Sequence, residues 1–450
     1  MRLRDWADAF PLGRAPLVII VLLVLSAPVV LTHDYYKSPD DLELWVFATT
    51  HKDEYAARLP GFEKSHPPTR VLMQEIPGGV LFDKLLACFL TGKGAPDLAE
   101  IEISAIGRFF AGAKDDIGFI DLRPYLERDG LYDEMVVARF SPWSNRGAIY
   151  GVPHDIHPVV MIYRRDVLEP FGDPAESIDT WADFVDYFEQ PGVLDTDGDG
   201  EPDRDALLVD TISSATFLPL LLQRGGGFFY SDGHVTFDSD EAVEVAQFLY
   251  DLVHVHRIAS PSPGNRPEVY GLLREKRVLC RIAPDWDIGF IKKETPDLAG
   301  KWSAMPLPAS APEGRRTSTL GGTMMAITKQ CRDPDGAWEL IRYLYFDPEA
   351  LVNRYDKTRI IPPMKAAWRF PVYAEPDPFF DGQKIGLLLV SLADQVPPRY
   401  SSWLASQAEA EIGRALYAIM HNHAPVRETL KRHADILRER QATNRFAGLE

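Results

Sequence analysis

The apolar and polar positions along the chain follow two alternating patterns. Short runs rich in aromatic and β-branched residues predict strands at 42–50 (LELWVFATT), 69–76 and 95–104. Apolar residues repeated every three or four positions predict helices at 81–92 and 241–256. Strands that alternate with helices form a parallel sheet whose faces the helices cover. The pattern therefore predicts an α/β protein.

The first 34 residues are predicted to be an export signal or a membrane anchor. Residues 15–31 (APLVIIVLLVLSAPVVL) carry no charge, and Arg2, Arg4 and Arg14 precede them. A basic region followed by an apolar segment is typical of both. Because the basic side stays in the cytoplasm, the rest of the chain is expected on the periplasmic or extracellular face. Cleavage stays open, and an uncleaved segment would anchor the protein to the membrane.

The composition limits the partners of the chain. Its 450 residues are 46% hydrophobic, enough for two domains or one large two-lobed unit. The formal net charge of −18 argues against nucleic acid, which is bound mainly through basic surfaces. Cys88, Cys280 and Cys331 are far apart without a CxxC, so a thiolate zinc site is not indicated. One disulfide is an alternative to three free thiols, which are favoured.

Several short segments follow one another in a recognisable order. The first strand carries aromatics (LELWVF), and GAPDLAEI comes later at 94–101. IYGVPHDIHPVVMIYRRDVLEPFG at 149–172 leads into TWADF at 180–184. Together they resemble the family 1 extracellular solute-binding proteins of ABC sugar importers, the maltose-binding-protein-like family. The similarity extends over about residues 40–440 and continues in the segments 225–249, 272–289, 305–308 and 321–329.

The resemblance implies a fold and a function. The fold would be a type II periplasmic-binding-protein fold, with two lobes built on mostly parallel sheets, a hinge and a cleft. The N-lobe is expected at 40–149 plus 288–347, and the C-lobe at 150–287 plus 348–450. The protein would be the exported substrate-binding subunit of an ABC transporter, capturing a sugar or oligosaccharide without turnover. Its partners would be the sugar and the membrane permease, and the protein would be a monomer.

The resemblance also indicates ligand-binding residues. A sugar needs flat aromatic surface for its C–H faces and paired donors and acceptors for its hydroxyls. Trp286 and Trp403 resemble the family's stacking aromatics, although core packing is the usual role of a tryptophan. Other predicted ligand contacts are polar residues near strand ends, for which capping is the alternative, and one glycine that lets the backbone approach closely: Thr50, His51, Glu102, Ser104, Asp155 and Gly322.

Two other functions compete with sugar capture. A carbohydrate-active hydrolase would need two carboxylates at a set separation, and no segment singles out such a pair. A ligand-sensing module for a receptor would share the same fold. His154, Asp155 and His157 form H-D-x-H, but histidines three apart on a strand face opposite sides, which disfavours a metal there.

The loop DTDGDGEPD at 195–203 has the oxygen spacing of a calcium loop. Position 12 would be Ala206, so the bidentate glutamate of a full EF-hand is missing. A structural calcium ion is predicted, and a solvated Asp/Gly turn is the alternative. The predicted ligands are Asp195, Asp197, Asp199, Glu201 and Asp203.

Overall fold

The computed structural model describes residues 38–443, together with Ile19 and Leu22. Apart from Ile19 and Leu22, the predicted export segment lies outside the residues described. Within them, no helix combines the length and the apolar character needed to cross a membrane. Residues 38–443 form twelve strands: β1 Leu42–Val46, β2 Val71–Glu75, β3 Leu98–Glu102, β4 Ser144–Asn145, β5 Ala148–Ile149, β6 Val152–Pro153, β7 Val159–Arg164, β8 Leu207–Val209, β9 Ala259–Pro261, β10 Cys280–Pro284, β11 Trp302–Pro306 and β12 Thr323–Ile327.

The helices of residues 38–443 lie between and after these strands. Many begin at a side chain that caps free backbone N–H groups, as Thr180 does in a capping box with Asp183. They are α1 Thr49–Ala56, α2 Leu59–Ser65, α3 Gly78–Thr91, α4 Ile103–Ile106, α5 Arg123–Arg128, α6 Arg165–Leu168, α7 Pro174–Ser177, α8 Trp181–Phe188, α9 Phe217–Gln223, α10 Asp240–His254, α11 Arg266–Arg274, α12 Asp285–Glu294, α13 Pro334–Tyr345, α14 Pro348–Thr358, α15 Ile385–Ala393, α16 Ala405–Asn422 and α17 Val426–Thr443.

The first sheet has the strand order β2-β1-β3-β12-β6. β1 runs parallel to β2 and β3, and β12 is antiparallel to both of its neighbours. Its strands are apolar on both faces, as expected of a sheet covered on both sides. Two hydrophobic clusters cover those faces, and α13 packs in one of them.

The second sheet has the order β10-β7-β11, and β8 pairs with β9 beside it. β7 is antiparallel to both neighbours, whereas β8 and β9 are parallel. A parallel bridge from Asp205 to Val278 connects β8 to the beginning of the β10 segment. All strands of this unit except β7 therefore run in one direction, and the predicted mostly parallel α/β architecture is confirmed.

The predicted lobe boundaries differ from the observed pairing at two places. Residues 302–306 were assigned to the N-lobe, but β11 pairs with β7 in the second sheet. Residues 348–358 were assigned to the C-lobe, but α14 packs beside α1, and its Leu351 joins the core of the first sheet. The lobe that a strand or helix joins depends on partners that lie far away in the sequence. The local residue pattern therefore cannot predict it.

Candidate functional site

The two sheets are joined at a hinge that buries charged residues. Between β6 and β7, Asp155 is fully buried, and Arg139 donates to its Oδ1 at 2.9 Å. The backbone N–H of Thr323 donates to its Oδ2, also at 2.9 Å. Burial opposes ionisation, but His157, His154 and Arg139 hold the pKa of Asp155 well below its usual value. Protein donors thus occupy both carboxylate oxygens of Asp155 at the hinge, and its predicted sugar contact stays a prediction.

His157 is the centre of the hinge. Its Nε2 is 3.1 Å from Asp155 Oδ2, and its Nδ1 is 2.6 Å from Asp285 Oδ1 at the start of α12. Burial alone would lower the pKa of His157, but these two carboxylates raise it to about 9. Asp285 also accepts from the backbone N–H of Ile361 at 2.7 Å. The charged imidazole therefore joins the crossing segment to the second unit.

A second buried cluster adjoins the hinge under the first sheet. His51 contacts Glu100 at 3.0 Å, and its ring lies 4.2 Å from that of His154. Arg354 donates to Glu54 at 2.9 Å. Burial resists the ionisation of Glu54, yet Arg354 and the histidines lower its pKa to about 2. His51 is 5% exposed and faces this cluster, and its predicted ligand contact stays a prediction.

The histidines of H-D-x-H therefore hold the hinge together through carboxylates and aromatic neighbours. Among residues 38–443, the only group of side chains with metal-ligand geometry is in the acidic loop. The hinge network could not be predicted from any local pattern, because Arg354 and Glu54 lie far apart along the chain. A buried charge needs a partner of opposite sign, and that requirement explains the cluster.

Cavity A, of about 390 Å³, lies between the two units. The first unit contributes Ile103 and Ser104, which follow β3, and the second contributes the turn at 225–230. Exposed aromatic rings, notably Tyr230 and Tyr400, face it. Its polar lining residues include Ser104, Thr236, Ser239, Glu241, Arg315, Arg399, Ser401 and Glu409. A volume above about 300 Å³ with an apolar wall and a few polar groups is typical of ligand pockets.

The segment 397–406 closes one side of cavity A by bridging the units. α16, which follows it, packs in the core of the second unit. Its Ser406 hydroxyl donates to the Ser104 carbonyl of the first unit at 3.4 Å. Gly107 makes room for the carbonyl of Ser402, which a Cβ atom there would overlap. Close backbone contact therefore positions Tyr400 at the cavity.

Glu102 and Ser104 were both predicted to contact ligand. The Ser104 hydroxyl and backbone N–H donate to the Glu102 carboxylate, so Glu102 caps α4. Burial is the main cause that raises the pKa of Glu102. Ser104 is exposed and lines cavity A, whereas Glu102 lies behind it. Thr50 is exposed near the carboxyl end of β1, outside both cavities described here.

Cavity B, of about 210 Å³, lies within the second unit beside Trp286. Trp286 follows β10, and its Nε1–H donates to the Leu320 carbonyl in the crossing segment at 2.9 Å. The Arg266 guanidinium lies 5.7 Å from the ring centroid of Trp286 and 4.4 Å from that of Phe290. The predicted ligand residue Trp286 is thus partly buried at the edge of a cavity near the hinge.

Trp403 and Gly322 line neither cavity A nor cavity B. Trp403 lines two outer grooves, one beside Phe89 and Arg440 and one beside His234. It packs against the core of the second unit and does not line cavity A or B. Tyr400, three residues earlier, lines cavity A. Gly322 lies at the hinge, where a Cβ atom would come within 2.7 Å of Arg139.

The acidic loop brings together three of its five predicted ligands. Carboxylate oxygens of Asp195, Asp197 and Asp203 lie within 4.8 Å of one another. Glu201 pairs with Arg257 instead. Three hard oxygen ligands in a tight loop suit calcium, which takes further oxygens from backbone and water. Structural calcium stays a prediction for this loop.

Comparisons with known proteins agree with this architecture. A sequence model of the bacterial extracellular solute-binding proteins matches residues 48–350. The arabinooligosaccharide-binding protein of Halalkalibacterium halodurans is 30% identical over 373 residues, covering 81% of this chain and 80% of that protein. The arabinooligosaccharide-binding protein of Bacillus subtilis is 26% identical over 411 residues, covering 89% and 92%.

Solved structures share the fold at lower identity. The sugar-binding protein MalE from Xanthomonas citri superposes with a TM-score of 0.75 at 20% identity, covering 89% of this chain and 98% of that one. The cyclic α-maltosyl-1,6-maltose binding protein from Arthrobacter globiformis gives a TM-score of 0.72 at 18% identity, covering 89% and 99%.

Proposed function

The chain belongs to the bacterial extracellular solute-binding protein family, and we propose that it captures an oligosaccharide containing arabinose in cavity A for an ABC importer. The observation that carries this proposal is the position of cavity A between the two units. Two relatives named for arabinooligosaccharides match along most of the chain. A ligand held there contacts both units and so favours the closed arrangement over the open one.

The lining of cavity A suits a neutral sugar. Tyr230 is 60% exposed and Tyr400 is 37% exposed, which leaves aromatic surface for the C–H faces of sugar rings. Its charged lining residues are two arginines and two glutamates, so the formal charge is balanced. Glu409 accepts from Ser214 and lies 3.3 Å from Arg399, which fixes its orientation. Fixed polar groups pair with hydroxyls at little cost in entropy.

Binding without turnover is the proposed activity. A hydrolase would need an acid and a second carboxylate on opposite sides of a glycosidic bond. Glu409 is held in an ion pair, and Glu241 is the other carboxylate of cavity A. The family consists of binding proteins, which favours capture over the hydrolase alternative. A sensing role for a receptor would use the same cavity and differs only in the partner.

The family is extracellular, so the ligand would be captured on the periplasmic or extracellular face. We propose that the segment 1–34 exports the chain or anchors it there, and that the loaded monomer delivers its sugar to a membrane permease. Both the anchor and the permease are proposals from the sequence. Co-purification with the permease from membranes, with and without residues 1–34, tests them.

A thermal-shift panel tests the ligand class. L-Arabinose, arabinooligosaccharides and maltooligosaccharides would each be added to the protein. A ligand at 100 times its Kd stabilises the folded state by about 2.7 kcal/mol, which raises Tm by several degrees for a chain of this size. We expect this shift with arabinooligosaccharides. Chromatography of the same samples must recover the ligand intact, and any cleavage products would favour the hydrolase.

A further inference from the structure

A second space between the two units adjoins cavity A. It is the outer groove beside His234, called groove C below, and its volume is about 540 Å³. Tyr400 and Ser401 line both cavity A and groove C. On the second unit, Tyr230 lines cavity A and its neighbour Ser231 lines groove C. The two spaces therefore meet beside Tyr400, where a ligand chain can pass from one into the other.

Both units build groove C. The hairpin of β4 and β5 in the first unit contributes residues 144–147, and the second unit contributes the loop 231–234. That loop is open to solvent, since the side chains of Asp232 and His234 are 62% and 72% exposed. A chain that leaves cavity A along groove C therefore does not meet a closed end on this side.

The lining of groove C favours a neutral ligand. Its formal charges, on Arg146 and Asp232, balance, and Asp232 lies 3.0 Å from His234 Nδ1. A lining rich in hydroxyls and without net charge favours a polar, uncharged chain over an ion. The serines of this lining are Ser141, Ser144, Ser231, Ser401 and Ser402.

Arg146 offers groove C a free hydrogen-bond donor. It is half-buried, and no carboxylate of residues 38–443 forms a salt bridge with it. Its Nε and Nη1 atoms are enclosed by protein without a hydrogen-bond partner, which leaves Nη2 to meet a ligand. The Arg146 carbonyl accepts from Lys114 at 3.2 Å, and this contact holds the turn. A sugar hydroxyl that accepts from the guanidinium would form a charge-assisted hydrogen bond.

We propose that groove C extends the sugar site, so that the protein captures chains of four or more rings whose end emerges through the groove. This inference rests on the proposed function and names the length class of its substrate. Cavity A measures about 390 Å³. It holds about two or three rings, since a cavity of about 150 Å³ holds one benzene molecule in another protein. Further rings pass Tyr400 and accept a hydrogen bond from Arg146.

Titration calorimetry with arabinotriose and arabinohexaose tests the extension in the full chain. Arg146→Asn removes the guanidinium but keeps the turn, because residues 146 and 147 have φ of 49° and 79° and Asn-Gly favours such a two-residue hairpin turn. His234→Ala removes an exposed ring from the wall of the second unit. We expect the wild-type protein to bind arabinohexaose about tenfold more tightly than arabinotriose. Each variant should lose most of that gain and bind arabinotriose within about twofold of wild type.

Arg257→Asn is the matched control, because Arg257 also has a positive φ, of 55°, and lines neither cavity A nor groove C. It should bind both sugars as wild type does. Equal wild-type affinity for the two sugars, or variants that keep the full gain, would overturn the extension. Equal weakening of both sugars by the variants would also overturn it, because the effect would then be on the fold. Absence of wild-type binding to both sugars would instead overturn the proposed function.

Discussion

The imidazole of His157 donates to the carboxylate of Asp285 at 2.6 Å across the junction of the two units. His157 lies in the segment that crosses between the sheets, and Asp285 begins α12 of the second unit. The contact is fully buried, so removing one partner leaves an uncompensated charge. The pair therefore ties the crossing segment to the second unit.

Replacing His157 by Gln should destabilise the protein most at low pH. The pKa of His157 in the folded protein is about 9, above the ordinary histidine value of 6.5. The stabilisation is therefore complete below about pH 6.5 and is lost as the pH rises through 9. A shift of this size corresponds to about 3 kcal/mol. Urea unfolding at pH 6 and pH 10 should show a large loss for the variant at pH 6 and a small one at pH 10.

His234→Gln is the control for this experiment, because the His234 side chain is 72% exposed. Its unfolding free energy should stay within about 0.5 kcal/mol of wild type at both pH values. A His157 variant that loses the same stability at pH 6 and pH 10 would show that packing, and not charge, explains the contact.

Replacing Gly107 by Ala should weaken ligand binding, although residue 107 itself does not contact the ligand. The added Cβ would overlap the Ser402 carbonyl, so the segment that carries Tyr400 must move. We expect at least a tenfold loss of affinity. Gly271→Ala is the control, because its Cβ meets no atom within 4 Å and alanine favours the helix. Wild-type affinity in the Gly107 variant would contradict the role of this segment.

Tyr400→Ala and Trp286→Ala should each lower the affinity for an arabinooligosaccharide by about tenfold or more, since buried aromatic contacts carry a large share of binding energy. Trp403→Ala should lower Tm through lost packing and leave affinity within about threefold. Fluorescence titration and thermal unfolding of the three variants separate the two effects. A larger affinity loss for Trp403 than for Tyr400 would restore the site first inferred from the sequence.

Calcium should raise the Tm of the wild-type protein, because an ion bound only to the folded state stabilises it. Scans in 1 mM Ca²⁺ and in EDTA measure this, with an expected difference of several degrees. Asp195→Asn should remove the difference. Asp232→Asn, in another exposed loop, should keep it. Identical thermal unfolding of the wild-type protein in both buffers would show that the loop at 195–203 is a solvated turn without bound calcium.

The alternation of strands and helices was enough to predict the α/β architecture. The central strands of the first sheet are short runs of mostly buried, largely apolar residues, and this is a local property. The assignment of β11 to the wrong lobe shows the limit. Its five residues pair with β7, which lies more than a hundred positions earlier in the chain. No local sequence pattern identifies that partner.

The candidate site was predicted only in part for the same reason. Ser104 lines cavity A and Trp286 lines cavity B, because both directly follow strands whose ends face the ligand region. Asp155 and His51 also lie near strand ends, but buried partners from distant segments turn them inward. Tyr400 was missed because a nearby tryptophan matched the family pattern better than it did.

Calorimetric titration of the full chain with arabinotriose tests the central claim most directly. We expect one bound sugar per chain, saturable and reversible, with the trisaccharide recovered intact after prolonged incubation. Under the same conditions, Tyr400→Ala should bind at least tenfold more weakly. A wild-type chain that gives no heat with arabinotriose, or that cleaves it, would contradict capture in cavity A.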